Sequence, residues 1–286
     1  MSLSITKFAP PSIETRLRGL KKTGEKYATK GIQYDPHDLS KNALLAFSLF
    51  ARLRIPLLSV QRVHYILYDF PIPEEYVPLG SLADILEKAM LVPDSVIFVI
   101  TCLNNGTCLH ANLVVVNKPK KRVDLFDPLG KIGAAGFGEE RDLQERILRA
   151  FACNAHFELY GETTEAGIQN ADCRHSKKRE GGGFCRVWVW LTAQLCAEFP
   201  NKTLRAIVDE MTEFADSGMS VNVCRGFLAE TRECAFKMMR NRHANFSKLY
   251  LELREVPVQS GKSKSAYYLS EKRTMEYLRG IYCRTI

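Results

Sequence analysis

The chain has 286 residues, 46% of them hydrophobic and 25% charged, with a formal net charge of +8. That balance is ordinary for a globular protein with a sizeable core, long enough for one large domain or for one domain with an appended subdomain. It argues against a membrane-spanning helix, because the longest apolar stretch, "SVIFVITCL" at 95–103, has only the length of a strand.

Residues 1–40 are basic, contain prolines and show weak periodicity, which predicts a basic N-terminal arm, and "MSLSITKFAPPSIETRLRGLKK" contains no apolar signal region. A helical N-terminal region is expected over 41–92. "SKNALLAFSLFARLR" (40–54) has Ser40 in a capping position and stops before Pro56, and "GSLADILEKAML" (80–91) has Ser81 as cap and Pro93 beyond its end. Between them, 57–79 mixes β-branched, aromatic and proline residues without a clear period. The texture then changes. "SVIFVITCL" (95–103), "HANLVVVN" (110–117) and "RVDLFD" (122–127) read as strands, joined by "NNGT" (104–107) and "KPKK" (118–121). "LVVV" is apolar on both faces, as a sheet covered on both sides requires.

"EERDLQERILRAFAC" (139–153) reads as a helix and "HFELY" (156–160) as a short strand. After a polar, glycine-containing stretch at 161–183 comes a long apolar helix from about 185 to 198. Further helices are expected in "NKTLRAIVDEMTEFA" (201–215), "NVCRGFLAETRECAFKMMRNR" (222–242) and "YYLSEKRTMEYLRGIY" (267–282). The catalytic core is thus placed at 93–215 and a C-terminal helical extension at 216–286. The class is α+β, with a mainly antiparallel central sheet.

Nine cysteines, irregularly spaced, favour free thiols in a reducing, intracellular compartment over a disulfide framework. One of them stands out. In "EGGGFCRVWVWLTAQL" (180–195), Cys185 follows three glycines and opens a helix that carries both tryptophans. Unsatisfied N–H groups and the helix dipole favour a thiolate there. His110 opens one strand and Asp127 closes the next, just before Pro128. If those strands are antiparallel neighbours, the two residues, 17 apart, meet across the sheet. A nucleophile, a base and a carboxylate that orients the base are what thiol-dependent acyl transfer needs. Trp188 and Trp190 cannot share a helix face, so one is expected in the core and the other over the sheet or lining a groove.

With "HANLVVV", "LFDPLG" and "GGFCRVWVW", the order His, Asp, Gln, Cys over roughly 95–200 resembles the adenovirus protease and the SUMO/Ulp-type proteases. The likeness is closest to large-DNA-virus proteins with "FEPHG" and "GFCxAWS"-type motifs. The resemblance implies a papain-like, adenain-like fold with the sheet packed on the Cys185 helix. It implies His110 as general base, Asp127 as its partner, Cys185 as nucleophile, and Gln169 beside the Cys185 N–H in the oxyanion hole. Gln169 lies 16 residues before Cys185, farther than the family pattern of about six, so "NADCRHSKKREGG" would loop out. The implied activity is a peptidase or ubiquitin-like isopeptidase without a cofactor. Its substrate would be a protein, either a viral precursor or a ubiquitin-like conjugate, in the host cytoplasm or nucleus or in the virion.

Rival readings stay open. Cys173 in "QNADC" competes as nucleophile, although "RHSKKREGGG" after it cannot begin a buried helix. "CLH" (108–110) and "CRH" (173–175) form a legal zinc ligand set. An effector-type acetyltransferase on the same fold would use acetyl-CoA, its basic surface serving an acidic cofactor or an inositol phosphate. A non-catalytic binding module would leave Cys185 inert. The basic runs at 117–121, 174–179 and 261–265 suit solvated loops or an acidic partner, nucleic acid included.

Overall fold

The computed structural model describes residues 12–28, 82–91, 96–104, 109–130, 137–161, 167–169, 184–215 and 220–240. The helices expected at 40–54 and 267–282, and the basic runs at 174–179 and 261–265, lie outside them. The elements are α1 (Ile13–Ala28), α2 (Leu82–Leu91), β1 (Val96–Asn104), β2 (Leu109–Asn117), β3 (Arg122–Phe126), α3 (Gly138–Ala155), β4 (Glu158–Tyr160), α4 (Cys185–Glu198), α5 (Leu204–Ala215) and α6 (Ser220–Arg240). The class is α+β.

The four strands lie in the order β1-β2-β3-β4. β1, β2 and β3 are antiparallel neighbours. The "KPKK" segment makes the β2–β3 turn: Lys121 N–H donates to Lys118 O at 3.0 Å, and Lys121 takes the left-handed φ of 48°. β4 instead runs parallel to β3, because α3 carries the chain back before it rejoins the sheet. The sheet is therefore mixed. His156 ends α3 at φ 55°, its N–H capping the last turn, and the Glu158 N–H then donates to Lys121 O at 2.9 Å.

Alternation along the strands builds two cores. Phe98, Ile100, Ala111, Leu113, Val115 and Phe126 face a cluster supplied by α1, α4, α5 and α6. Ile97, Val99, Val114, Val116, Val123 and Leu125 face α2 and α3. With both faces covered, the continuous apolar run of β2 is what burial demands.

The expected N-terminal arm needs correction over 13–28, where the chain forms α1. Ser12 caps it, accepting the Thr15 N–H at 3.1 Å. Ile13, Leu17 and Leu20 are all buried, at helical spacing on one face. Lysines and arginines on the remaining faces mask that stripe in the sequence. α1 packs along α6, so the core also extends past residue 215. The two helices approach backbone to backbone. A Cβ on Gly24 would lie 1.9 Å from Asn222 O, and one on Gly226 would lie 1.8 Å from Leu20 O.

α4 is the axis of the larger core. Every residue from Cys185 to Leu195 is buried, so Trp188 and Trp190 both lie inside, at 1% and 0% exposure. The expectation that one would line a groove fails because α4 is surrounded on all sides; covering the sheet, the other alternative, is compatible with burial, since α4 packs on β2. A helix enclosed in this way has no outer face.

Candidate active site

β2, the turn after β3 and the first turn of α4 converge at one end of the sheet. His110 Nε2 lies 2.5 Å from Asp127 Oδ1, and the two residues are 2% and 1% exposed. The antiparallel pairing expected from the sequence is present, with a refinement. Leu113 pairs with Phe126, so continuing the register by one step sets Asn112 opposite Asp127. His110 is two residues farther along the same face, a diagonal neighbour of the carboxylate.

Asp127 is held by its own turn. Its Oδ1 accepts the Leu129 N–H at 2.8 Å, and its carbonyl accepts the Gly130 N–H at 3.0 Å, where Gly130 has φ 68°. Because Asp127 engages Nε2, Nδ1 is the imidazole nitrogen left for Cys185, which is near enough for the two side chains to shift each other's ionisation. Cys185 is 5% exposed and is the first residue of α4. The ring of Phe137 lies 5.4 Å from the His110 ring, tilted by 31°.

The electrostatics follow from this packing. Burial alone would pull the His110 pKa down, but hydrogen bonds to Asp127 and Cys185, and their negative charge, push it up to about 9. Burial likewise opposes ionisation of Cys185. The hydrogen bond and charge of His110, a backbone hydrogen bond from Ala111 and the charge of Arg186 together hold its thiol below the ordinary value. The pair favours imidazolium and thiolate.

Gln169 reaches the same neighbourhood by its backbone. The Gly167 and Gln169 N–H groups donate to Leu129 O and Pro128 O, at 3.0 and 2.9 Å, which docks 167–169 on the Asp127 turn. A Cβ on Gly167 would come within 2.2 Å of Leu129 C and Pro128 O, so this docking requires glycine. Gln169 is buried there. Cys173, His175 and Cys108, the remaining members of the rival proposals, lie outside the described residues. Among the described residues no group of three or more His, Cys, Asp or Glu side chains is placed to hold a metal ion. None of the described helices is long and apolar enough to cross a membrane.

The sequence reading missed Asn112, Gln144 and Thr101. The Asn112 amide lies 3.0 Å from Gln144, and Gln144 lies 2.6 Å from Thr101 Oγ1. All three are buried. A polar residue two positions from His110 on an otherwise apolar strand was the available signal. No protein-family model matches the chain, and no curated protein matches its sequence.

Proposed function

We propose that the protein is a thiol-dependent peptidase or ubiquitin-like isopeptidase with a papain-like, adenain-type fold, acting through Cys185, His110 and Asp127. One observation carries this reading: a buried imidazole held between a carboxylate and a cysteine that begins a helix. Alternation on β2 and β3 puts His110 and Asp127 on one face, and α4 brings its positive end to them.

The Cys185 thiolate attacks the carbonyl carbon of the scissile bond. Negative charge moves to the carbonyl oxygen, where the Cys185 N–H and the Gln169 side chain would stabilise it. As the C–N bond breaks, imidazolium His110 gives its proton to the departing amine, leaving a thioester. Neutral His110 then takes a proton from water as the water attacks the thioester. The C–S bond breaks, restoring the thiolate–imidazolium pair, and the product leaves as a carboxylic acid that gives its remaining proton to solvent. Asp127 keeps Nε2 engaged throughout, so that Nδ1 faces the sulfur. The intended substrate is a protein, a viral precursor or a ubiquitin-like conjugate cut after small residues such as Gly-Gly, and the setting is intracellular.

The test uses ubiquitin and SUMO carrying a C-terminal electrophile, applied to wild type, Cys185→Ala and Cys173→Ala, with intact mass after acetyl-CoA treatment as a parallel arm. Labelling should disappear only in Cys185→Ala. Loss confined to Cys173→Ala would overturn the nucleophile assignment. An acetyl adduct on Cys185 without probe labelling would replace hydrolysis by acetyl transfer.

A further inference from the structure

Behind His110 runs a line of buried polar side chains that the reaction itself does not use. Thr101 on β1 is the cross-strand partner of Asn112 on β2, and Gln144 reaches both from α3. Their exposures are 6%, 1% and 4%, so this chain of polar groups crosses an otherwise apolar layer. Burying three such side chains is costly unless each is satisfied.

The sense of the amides follows from the far end of the line. Around the outer edge of the Asn112 amide lie Ala111 O at 3.0 Å, His110 Nε2 at 3.0 Å and Asp127 Oδ2 at 3.3 Å. Two of these three, the carbonyl and the ionised carboxylate, only accept hydrogen bonds, while the Nε2–H of His110 is already directed at Asp127 Oδ1. Asn112 must therefore turn its nitrogen toward Asp127, which leaves its oxygen 3.0 Å from Gln144. Gln144 then has to present its nitrogen to Asn112 and its oxygen to the Thr101 hydroxyl, whose hydrogen is free to rotate into place. Two acceptor-only groups, Ala111 O and the Asp127 carboxylate, fix the polarity of every donor behind them.

We propose that Asn112, Gln144 and Thr101 form a one-way amide relay that holds the second carboxylate oxygen of Asp127, making Gln144 a positioning residue for His110. Asp127 Oδ1 is engaged by His110 and by the Leu129 N–H. Without a donor on Oδ2 the carboxylate is free to rotate about its last torsion and lose alignment with Nε2. The relay also ties β1, β2 and α3 to a single carboxylate, so that movement of α3 is felt at the imidazole.

This inference deepens the proposed function and rests on it for its catalytic meaning, but its test can be read without substrate. The imidazole of His110 is titrated by NMR in wild type, Gln144→Met, Thr101→Val and Thr101→Ser. Gln144→Met keeps the volume and removes the amide. Thr101→Val is close to isosteric, and Thr101→Ser keeps the hydroxyl. The expected result is a His110 midpoint lower by about one unit in Gln144→Met, a tenfold change in imidazolium acidity. The shift should be smaller in Thr101→Val and absent in Thr101→Ser. Turnover should fall through kcat with KM little changed. An unchanged midpoint in both Gln144→Met and Thr101→Val overturns the relay, and should Gln144→Met fail to fold, Thr101→Val against Thr101→Ser decides alone. Failure of the catalytic reading looks different: wild-type Cys185 would then resist alkylation at neutral pH, whatever the His110 midpoints.

Discussion

Two cysteines on one helix sit in opposite electrostatic surroundings. Cys185 opens α4 and Cys196 lies in its last turns, a rise of about 16 Å away at 1.5 Å per residue. Cys185 is the more deeply buried of the two, yet it is the one held below the ordinary thiol value. Cys196 is pushed far up, first by burial of its sulfur and then by the charge of Asp124. Burial opposes ionisation at both ends, so the neighbours decide. The first has His110, a backbone N–H from Ala111, Arg186 and the positive end of the helix dipole. The second has a carboxylate and the negative end. Along α4 the ease of ionising a thiol follows position and partners, not exposure.

The strongest way to break this comparison is to exchange each cysteine for alanine. Cys185→Ala should lower peptide or isopeptide hydrolysis by roughly 10⁴-fold or more, as loss of a nucleophile does in triad enzymes. Cys196→Ala should leave kcat/KM within about twofold, because its effect is limited to packing. Equal losses in the two variants would remove the distinction between the ends of α4.

The second prediction removes the partner instead of the sulfur. His110 has a raised pKa, so its charged form is favoured by the fold. That contribution is complete below the ordinary value of 6.5 and is lost as pH rises through about 9. Cys185 has a lowered pKa, so its thiolate persists as pH falls below the ordinary thiol range. Iodoacetamide should therefore modify Cys185 at pH values where Cys196 is silent. Hydrolysis should decline above about pH 9, where the imidazolium that protonates the leaving amine disappears. His110→Ala should slow Cys185 alkylation near pH 6 by about tenfold or more and leave Cys196 unchanged. Peptide mapping is needed to read this, since Cys153 is an exposed thiol. Unaltered Cys185 alkylation in His110→Ala would sink the ion-pair account.

The same contrast shows what was legible in the sequence. α4, the β2–β3 hairpin and α3 announce themselves through strong periodicity and turn residues, and His110, Asp127 and Cys185 fall at their ends. Placing three residues at element ends is a local property, and topology then brings them together. The Asn112 relay was not legible, because it depends on register. One step beyond the Leu113–Phe126 pair decides that Asn112, not His110, stands opposite Asp127. Gln144 enters only through the angle at which α3 crosses the sheet. α1 was obscured for another reason: its apolar stripe of Ile13, Leu17 and Leu20 is narrow and is diluted by charged residues on every other face. The burial of both tryptophans was equally hidden, since it needs neighbours on every side of α4, and these come from the sheet as well as from α1, α5 and α6.

The third prediction concerns the packing that holds the helix in place. Gly226→Ala sets a methyl group against the Leu20 carbonyl of α1, where two backbones touch and neither has a flexible side chain to yield. The expected cost is about 1–3 kcal/mol in denaturant unfolding. Gly19→Ala on α1 meets open space and should be neutral or slightly stabilising through helix propensity. Equal stability of the two variants would mean that α1 and α6 do not pack as closely as the structure has them.

The smallest effect should come from the far end of α4. Arg16 of α1 donates to both Glu230 oxygens, at 3.0 and 2.5 Å, and its Nε lies 3.4 Å from Glu198 in the last turn of α4. The arginine side chain is 13% exposed, but that of Glu230 is 37% exposed, so solvent screens part of the attraction. Arg16→Met keeps most of the side-chain bulk and removes the charge, and should cost about 1 kcal/mol once that screening is allowed for. The informative readout is which cysteine notices. Loosening the Glu198 end should speed alkylation of Cys196 and leave Cys185 unchanged, because His110 and Asp127 are anchored to the sheet and not to α1. If Cys185 reactivity fell along with stability, the two ends of α4 would be mechanically coupled. The chemistry of the first turn would then depend on the ion pair at the last.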